Sequence, residues 1–142
     1  MIIKSGNDPI TILLVEDDEV DIINVKRAFK KNEIENQLLV ANNGIEALTL
    51  LHSLSEKKLP QVILLDINMP MMNGIEFLCE LRKDEQLKHI SVFVMTTSNE
   101  DSDKIEAYGY NVAGYILKPL SFDKFIDTIN KLIEFWSITE FK

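Results

Sequence analysis

Acidic, hydroxyl and amine side chains each follow a short apolar run of this sequence. Glu16 to Asp18 and Asp66 supply the acids, Thr96 to Ser98 the hydroxyls, and Lys118 the amine. Carboxylates that lie close together repel one another unless a cation compensates their charge. A lysine and a hydroxyl beside them can bind an anion. Because no cysteine or histidine accompanies these residues, the nucleophile would be an oxygen, and the set outlines a phosphoryl-transfer site.

The candidate ligands in this set are all oxygen atoms, which favours a hard cation, Mg²⁺ or Mn²⁺, over zinc. Each part alone has a simpler explanation. An acidic run often begins a helix, where carboxylates complement the helix dipole, and a single polar residue after a strand often lies in a turn. The functional interpretation therefore depends on the occurrence of four such clusters after four predicted strands.

Apolar and amphipathic segments alternate along the chain and must position these side chains. The apolar runs predict five strands, at Ile10 to Val15, Leu38 to Ala41, Val62 to Leu65, Val92 to Met95 and Val112 to Leu117. Helical spacing predicts five helices, over Glu19 to Lys31, from Asn43-Gly44 to Leu54, over Gly74 to Lys83, over Glu100 to Tyr108, and over Phe122 to Trp136 with Ser121 as N-cap. This alternation predicts an α/β protein, a doubly wound parallel sheet with helices on both faces. In such sheets ligands bind beyond the carboxyl ends of the strands, where the polar clusters would converge.

Composition indicates one acidic domain. The chain has 142 residues, a formal net charge of −8 and 46% hydrophobic residues, which is enough apolar material for one core. The negative charge argues against nucleic acid and membrane surfaces as partners. A lone cysteine, Cys79, and the lack of a signal-peptide pattern predict a cytoplasmic location. We expect a domain over residues 10–136, an N-terminal extension over 1–9 and a short tail over 137–142 with no output domain.

Four segments together carry a family resemblance, and in chain order they are ILLVEDD (Ile12 to Asp18), VILLDINMPMMNG (Val62 to Gly74), VFVMTTS (Val92 to Ser98) and GYILKP (Gly114 to Pro119). In these segments the chain resembles the receiver domain of bacterial two-component response regulators. The resemblance implies a flavodoxin-like, five-stranded sheet of order 2-1-3-4-5. Asp18 to Ile22, Met95 to Ser98 and the Phe135-Trp136 pair look most like the small stand-alone receivers that partner phytochrome-type sensor kinases.

The resemblance also implies a role for each residue of the set. It makes Asp66 the phosphoacceptor, and it makes Glu16, Asp17, Asp66 and the carbonyl of Asn68 the Mg²⁺ site, with Mn²⁺ as an alternative. It implies that Lys118 pairs with Asp66 before transfer, and that Thr96 and Lys118 bind the phosphoryl group once it is attached. It also implies that Tyr115 is the switch aromatic and that Asn68 and Ser98 tune dephosphorylation. It further implies a cis Lys118–Pro119 peptide. Two departures from the family pattern are a third acid, Asp18, and Thr97 where many receivers have alanine.

The expected function is that of a signalling switch. The phosphoryl group would come from a sensor histidine kinase or a histidine phosphotransfer protein. The surface of the fourth helix, fifth strand and fifth helix would then change for a protein partner. The chain would be no enzyme beyond its own phosphorylation and slow autodephosphorylation, since a phosphatase needs a second acid where Asn68 stands. The apolar fifth helix also makes a homodimer one candidate assembly. The alternative is a degenerate receiver that binds partners without phosphorylation.

Overall fold

A parallel five-stranded sheet forms the centre of the protein, as seen in a computed structural model that describes residues 1–141. We label its strands β1 (Ile12–Val15), β2 (Leu38–Ala41), β3 (Val62–Leu65), β4 (Ser91–Thr96) and β5 (Gly114–Leu117). Their order across the sheet is β2-β1-β3-β4-β5, and neighbouring strands pair in parallel. The predicted fold class and strand order are therefore confirmed.

Helices cover both faces of the sheet in the described part of the chain. They are α1 (Glu19–Lys31), α2 (Gly44–Ser53), α3 (Gly74–Lys83), α4 (Asp101–Gly109) and α5 (Phe122–Ser137). One core lies between the sheet and α2, α3 and α4, and a second lies between the sheet and the pair α1 and α5. The central strands β1 and β3 are buried along their whole length, as their continuous apolar sequences require.

Side-chain caps fix where the helices begin, and so fix the loops that carry the polar clusters. Asp18 accepts hydrogen bonds from the backbone N–H groups of Val20 and Asp21 at the start of α1. Asn73 and Glu76 form a reciprocal capping box at the start of α3. Ser121 caps α5, as predicted, by accepting from the N–H of Lys124.

The first residues form a structure that the sequence pattern did not indicate. Two two-residue strands, Lys4–Ser5 and Asp8–Pro9, pair as an antiparallel hairpin. Ile3 is buried in the core against α1 and α5. Asn36, also buried, donates to the carbonyls of Ile3 and Ile10 and accepts from the N–H of Ile3. The segment expected to be an extension is thereby tied to the loop before β2.

One expectation about the segment after β5 is wrong. The Lys118–Pro119 peptide is trans, so the implied cis bond is wrong, and residues 1–141 contain no cis peptide. The trans form is the one that an X–Pro bond favours by about 0.5–1 kcal/mol. Trp136, near the end of α5, is fully buried, and its ring packs edge-on against Phe93. Of the predicted tail, Lys142 lies outside the described residues.

None of the helices within residues 1–141 has the length and hydrophobicity needed to cross a bilayer.

Candidate functional site

The carboxyl ends of β1 and β3 bring three acids together. Glu16 and Asp17 follow β1, Asp66 follows β3, and these two strands are neighbours in the sheet. One carboxylate oxygen from each of the three lies within 4.8 Å of the others. The site lies beside the strand where the chain order reverses, since β1 has β2 on one side and β3 on the other. Ligands of doubly wound sheets bind at this point.

The two strand-end acids are almost inaccessible to solvent. Glu16 and Asp66 are both buried, and the Glu16 N–H continues the sheet by donating to Ala41. Burial raises the pKa of Glu16 to about 8, and the negative charge of Asp66 acts in the same direction against the opposing effect of Lys118. A divalent cation would relieve this repulsion, because it stabilises the ionised form of each carboxyl group.

The acidic run after β1 divides its three residues between two roles. Glu16 and Asp17 belong to the acid cluster, whereas the Asp18 side chain is the N-cap of α1. The Asp18 N–H in turn donates to Glu16 Oε2 at 3.3 Å. The pair of acids that faces Asp66 is therefore Glu16 and Asp17, because the Asp18 side chain caps α1.

Lys118 reaches the acid cluster from the end of β5. Its side chain is only 8% exposed, and its Nζ donates to Glu16 Oε1 and, at 2.8 Å, to Asp21 Oδ2. Asp66 Oδ2 lies farther away, at 3.5 Å. Burial alone lowers the pKa of Lys118, but the bonds to Asp21 and Glu16 and the charge of Asp66 outweigh it, so the pKa lies above its ordinary value.

Asp21 is the residue at this site that the sequence analysis missed. It occupies the first turn of α1, where an acid is ordinarily explained by the helix dipole. Its bond to Lys118 joins residues 97 positions apart, so no local pattern could indicate it. The one available signal is its position just after the strand-end acids of β1.

The hydroxyl cluster after β4 connects the site to β5 and α4. Thr96 is fully buried, and its Oγ1 accepts from the Ser98 N–H at 3.2 Å. Ser98 Oγ donates to Asp103 in the first turn of α4 at 2.7 Å. The half-buried Tyr115 donates its hydroxyl hydrogen to the Ser98 carbonyl at 3.1 Å. Ser98 thus links three elements, while the Thr97 side chain is exposed.

Asn68 lies in the loop after β3, two residues beyond Asp66. Its backbone N–H donates to Asp66 Oδ1 at 3.3 Å, and its side chain is exposed. Both oxygens of Asp66 therefore have an identified neighbour, one on the Asn68 side and one on the Lys118 side. The oxygen donors at this edge, carboxylates from two strand ends, suit a hard divalent cation.

Comparison with known proteins agrees with this geometry. A family model described as the response regulator receiver domain matches residues 12–130. A curated relative, the probable methanogenesis regulatory protein FilR2 of Methanothrix harundinacea, is 35% identical over 136 residues, which cover 94% of this chain and 88% of the relative.

Two solved structures have the same fold over nearly their whole length. The phosphorylated cyanobacterial phytochrome response regulator RcpA superposes with a TM-score of 0.85 and 31% identity, covering 93% of this chain and 97% of that one. The Mn²⁺-bound form of response regulator Rcp1, a protein of Synechocystis, superposes with a TM-score of 0.82 and 33% identity, covering 92% and 96%.

Proposed function

The chain belongs to the response regulator receiver family, and on that premise we propose that Asp66 accepts a phosphoryl group in a Mg²⁺-dependent reaction. The observation that carries the proposal is the position of the Asp66 carboxylate. It is buried at the end of β3, in a cluster with Glu16 and Asp17, and it lies 3.5 Å from the Lys118 ammonium. A nucleophilic carboxylate, a cation site and a fixed positive charge are the parts that phosphoryl transfer requires.

Phosphoryl transfer to Asp66 would replace a P–N bond by a P–O bond. An Asp66 oxygen attacks the phosphorus of a phosphohistidine, the P–O bond forms, and the P–N bond breaks with its electron pair left on the imidazole nitrogen. Glu16, Asp17, Asp66 and the Asn68 carbonyl would hold the Mg²⁺, with Mn²⁺ as the alternative. A bound Mg²⁺ supplies positive charge that stabilises the transferring phosphoryl oxygens.

The contacts of Ser98 suggest how the modification is transmitted. An attached phosphoryl group, carrying about −1.5 to −2 charges, would draw the Thr96 hydroxyl and the Lys118 ammonium toward it. Thr96 Oγ1 would then lose the hydrogen bond that it accepts from the Ser98 N–H. Because Ser98 also holds the Tyr115 hydroxyl, its displacement would release Tyr115 to turn inward. The result is a shift between two packings of β5 and α4.

Exposed apolar side chains surround the site and suit a protein donor. Val20, Met71 and Leu120 are all exposed, and each lies on a loop or helical turn that also carries a site residue. A large apolar residue in water contributes little to the fold, but it can pack against a partner's helix. We assign this rim to a sensor histidine kinase or a histidine phosphotransfer protein, whose phosphohistidine must reach the recessed Asp66.

A second exposed face fits the output role. Ile105 and Tyr108 on α4 and Leu117 on β5 are exposed, next to the elements that Ser98 connects. We assign this face to a downstream protein, with a second copy of the chain as one candidate. On this proposal the chain is a cytoplasmic switch that catalyses only its own phosphorylation and slow dephosphorylation.

The proposal is tested by incubation with acetyl phosphate, with and without Mg²⁺, followed by intact-mass measurement. We expect the addition of one phosphoryl group only when Mg²⁺ is present. Asp66→Asn should abolish the addition without lowering the unfolding midpoint. Asp8→Asn, in the exposed hairpin at the other end of the sheet, makes the same chemical change and should behave as wild type.

Two outcomes would contradict the assignment. Uptake of phosphate by Asp66→Asn at the wild-type rate would place the phosphoacceptor elsewhere. Absence of any Mg²⁺-dependent modification in the wild type, with acetyl phosphate and with several purified phosphorylated kinases, would favour the degenerate receiver instead.

A further inference from the structure

Lys118 is shared among three carboxylates, and it is not bonded most closely to the proposed phosphoacceptor. Its Nζ makes hydrogen bonds to Glu16 and Asp21, whereas Asp66 Oδ2 stays at 3.5 Å, beyond a normal N–H···O bond. An ammonium group has three N–H donors. Two of them are directed toward the α1 side of the site, which leaves one for the Asp66 side.

The Asp21 carboxylate is well suited to hold this ammonium. Its side chain is 29% exposed and accepts from a lysine that is only 8% exposed. A partly buried, charge-assisted hydrogen bond is stronger than an exposed ion pair. A small cavity beside it is lined by Glu16, Asp21, Asp66 and Lys118, with apolar Val25 and Phe125. The pair therefore lies at the edge of the core, where its geometry is fixed.

The ordinary structural explanations of Asp21 do not account for this contact. Asp21 is the third helical residue after the cap, where an acid often bonds back to the N-cap N–H. Here the N–H of Asp18 donates to Glu16 Oε2 instead. An acid that only interacts with the helix dipole needs no bonding partner, and the exposed Glu19 in the same turn already has that role. The Asp21 side chain is thus directed to Lys118.

We propose that Asp21 is a positioning residue that holds Lys118 on the α1 side of the site and competes with the phosphoryl group for its ammonium. This inference depends on the proposed function, because it assumes that a phosphoryl group on Asp66 needs Lys118. In the resting protein the contact leaves Asp66 without a full lysine hydrogen bond, so its oxygen stays available for attack. After transfer, the third N–H would be drawn toward the phosphoryl oxygen, and this movement of the ammonium away from the α1 side would weaken its bond to Asp21.

The test measures beryllofluoride affinity at saturating Mg²⁺, because this ion imitates the phosphoryl group on an aspartate. Asp21→Asn keeps the shape and removes the charge that competes for Lys118. We expect it to bind beryllofluoride about three- to tenfold more tightly than wild type. A hydrogen bond to a charged group contributes a factor of about 10 to 100 when it is buried, and less when it is part-exposed as here. Asp21→Glu restores the carboxylate and should return the affinity to the wild-type value.

Glu19→Gln is the matched control, since it removes one negative charge from the same helical turn without a contact to Lys118. Its beryllofluoride affinity should equal that of wild type. The inference is overturned if Asp21→Asn binds no more tightly than wild type. It is equally overturned if Glu19→Gln gains as much, because the effect would then be one of general charge.

A second measurement separates this inference from the proposed function. In a double-mutant cycle of Asp21→Asn and Lys118→Met, followed by urea unfolding, we expect a coupling of at least about fivefold in the unfolding equilibrium constant. The cycle of Glu19→Gln and Lys118→Met should be additive. Failure of the wild type to bind beryllofluoride would refute the phosphoryl site alone. Additive effects of Asp21→Asn and Lys118→Met would overturn the contact between Asp21 and Lys118 whatever the state of that site.

Discussion

Gly74 allows the first turn of α3 to pack directly on the backbone that carries Asp66. A Cβ at this position would lie 2.7 Å from the Asp66 carbonyl oxygen and 2.7 Å from Ile67 Cα. Ordinary contact begins about 0.7 Å farther out, and neither atom belongs to a side chain that can rotate away. Gly74→Ala must therefore separate α3 from the loop after β3.

The free-energy cost of this separation can be bounded. Forcing one methyl group into a packed interior costs about 1–3 kcal/mol, and the helix propensity of alanine returns less than about 1 kcal/mol. With a net cost of about 1–2 kcal/mol and a urea m-value of about 2 kcal/mol/M, the unfolding midpoint should fall by about 0.5–1 M. The displacement also moves Asp66, and misplacement of a reacting group by about 1 Å can cost about a hundredfold in rate.

Two other glycines provide graded controls for this prediction. Gly109 ends α4 with open space where its Cβ would lie, so Gly109→Ala should leave the midpoint unchanged or raise it. At Gly44 the Cβ would meet only the Met72 side chain, which can adopt another rotamer, so Gly44→Ala should cost less than Gly74→Ala. Urea unfolding followed by Trp136 fluorescence and the initial rate of phosphorylation by acetyl phosphate check all three variants. Equal midpoints and equal rates for Gly74→Ala and Gly109→Ala would refute the reasoning.

Three further predictions concern the site and the N-terminal hairpin. Glu16 has a raised pKa of about 8 in the folded protein, so the folded state binds its proton more tightly than the unfolded chain does. The free energy of unfolding of the metal-free protein should therefore fall as pH rises from about 5 to 8. Saturating Mg²⁺ and Glu16→Gln should each flatten that decline in urea titrations, and a decline unaffected by both would refute the assignment. Tyr115→Phe removes the hydrogen bond to Ser98, so beryllofluoride should bind about two- to tenfold more tightly by calorimetry; unchanged affinity would contradict the proposed switch. Asn36→Ala removes three buried hydrogen bonds and should lower the free energy of unfolding by about 2–4 kcal/mol, with faster amide exchange at Ile3; wild-type stability would show that the hairpin is not needed for folding.

The secondary structure could be predicted where local signals determine it. The observed bounds of α1 and α3 equal the predicted ones, because apolar periodicity and an acidic or amide cap mark each start. Strand β1 begins later than predicted, at Ile12. Ile10 is apolar and buried, but its N–H donates to Ile3 of the hairpin and not to the sheet. The apolar sequence pattern indicates that Ile10 is buried, but it cannot indicate which backbone group its N–H bonds to.

The convergence of the site could be predicted because it follows from topology alone. Once the sheet is parallel, every residue that follows a strand lies at the same edge. What could not be predicted depends on side-chain contacts between distant segments. The run after β1 offered two explanations, metal ligand and helix cap, and the structure divides the run between them: Glu16 and Asp17 join the acid cluster, and Asp18 caps α1. The contact between Asp21 and Lys118 likewise needs the packed structure.

The charges of the site explain why a cation and a phosphoryl group should bind together. The Lys118 ammonium faces Glu16, Asp21 and Asp66, and Asp17 lies in the same acid cluster, so the metal-free site is negative. Adding a phosphoryl group of about −1.5 to −2 charges to it would be strongly unfavourable. Mg²⁺ removes most of this penalty, and phosphorylation in turn should strengthen the binding of Mg²⁺ by the same factor, because linkage is reciprocal. Since the Asp21 charge attracts the cation, as the phosphoryl charge does, Asp21→Asn should raise the Mg²⁺ concentration needed for half-maximal phosphorylation. A requirement for less Mg²⁺ in that variant would contradict this electrostatic account of the site.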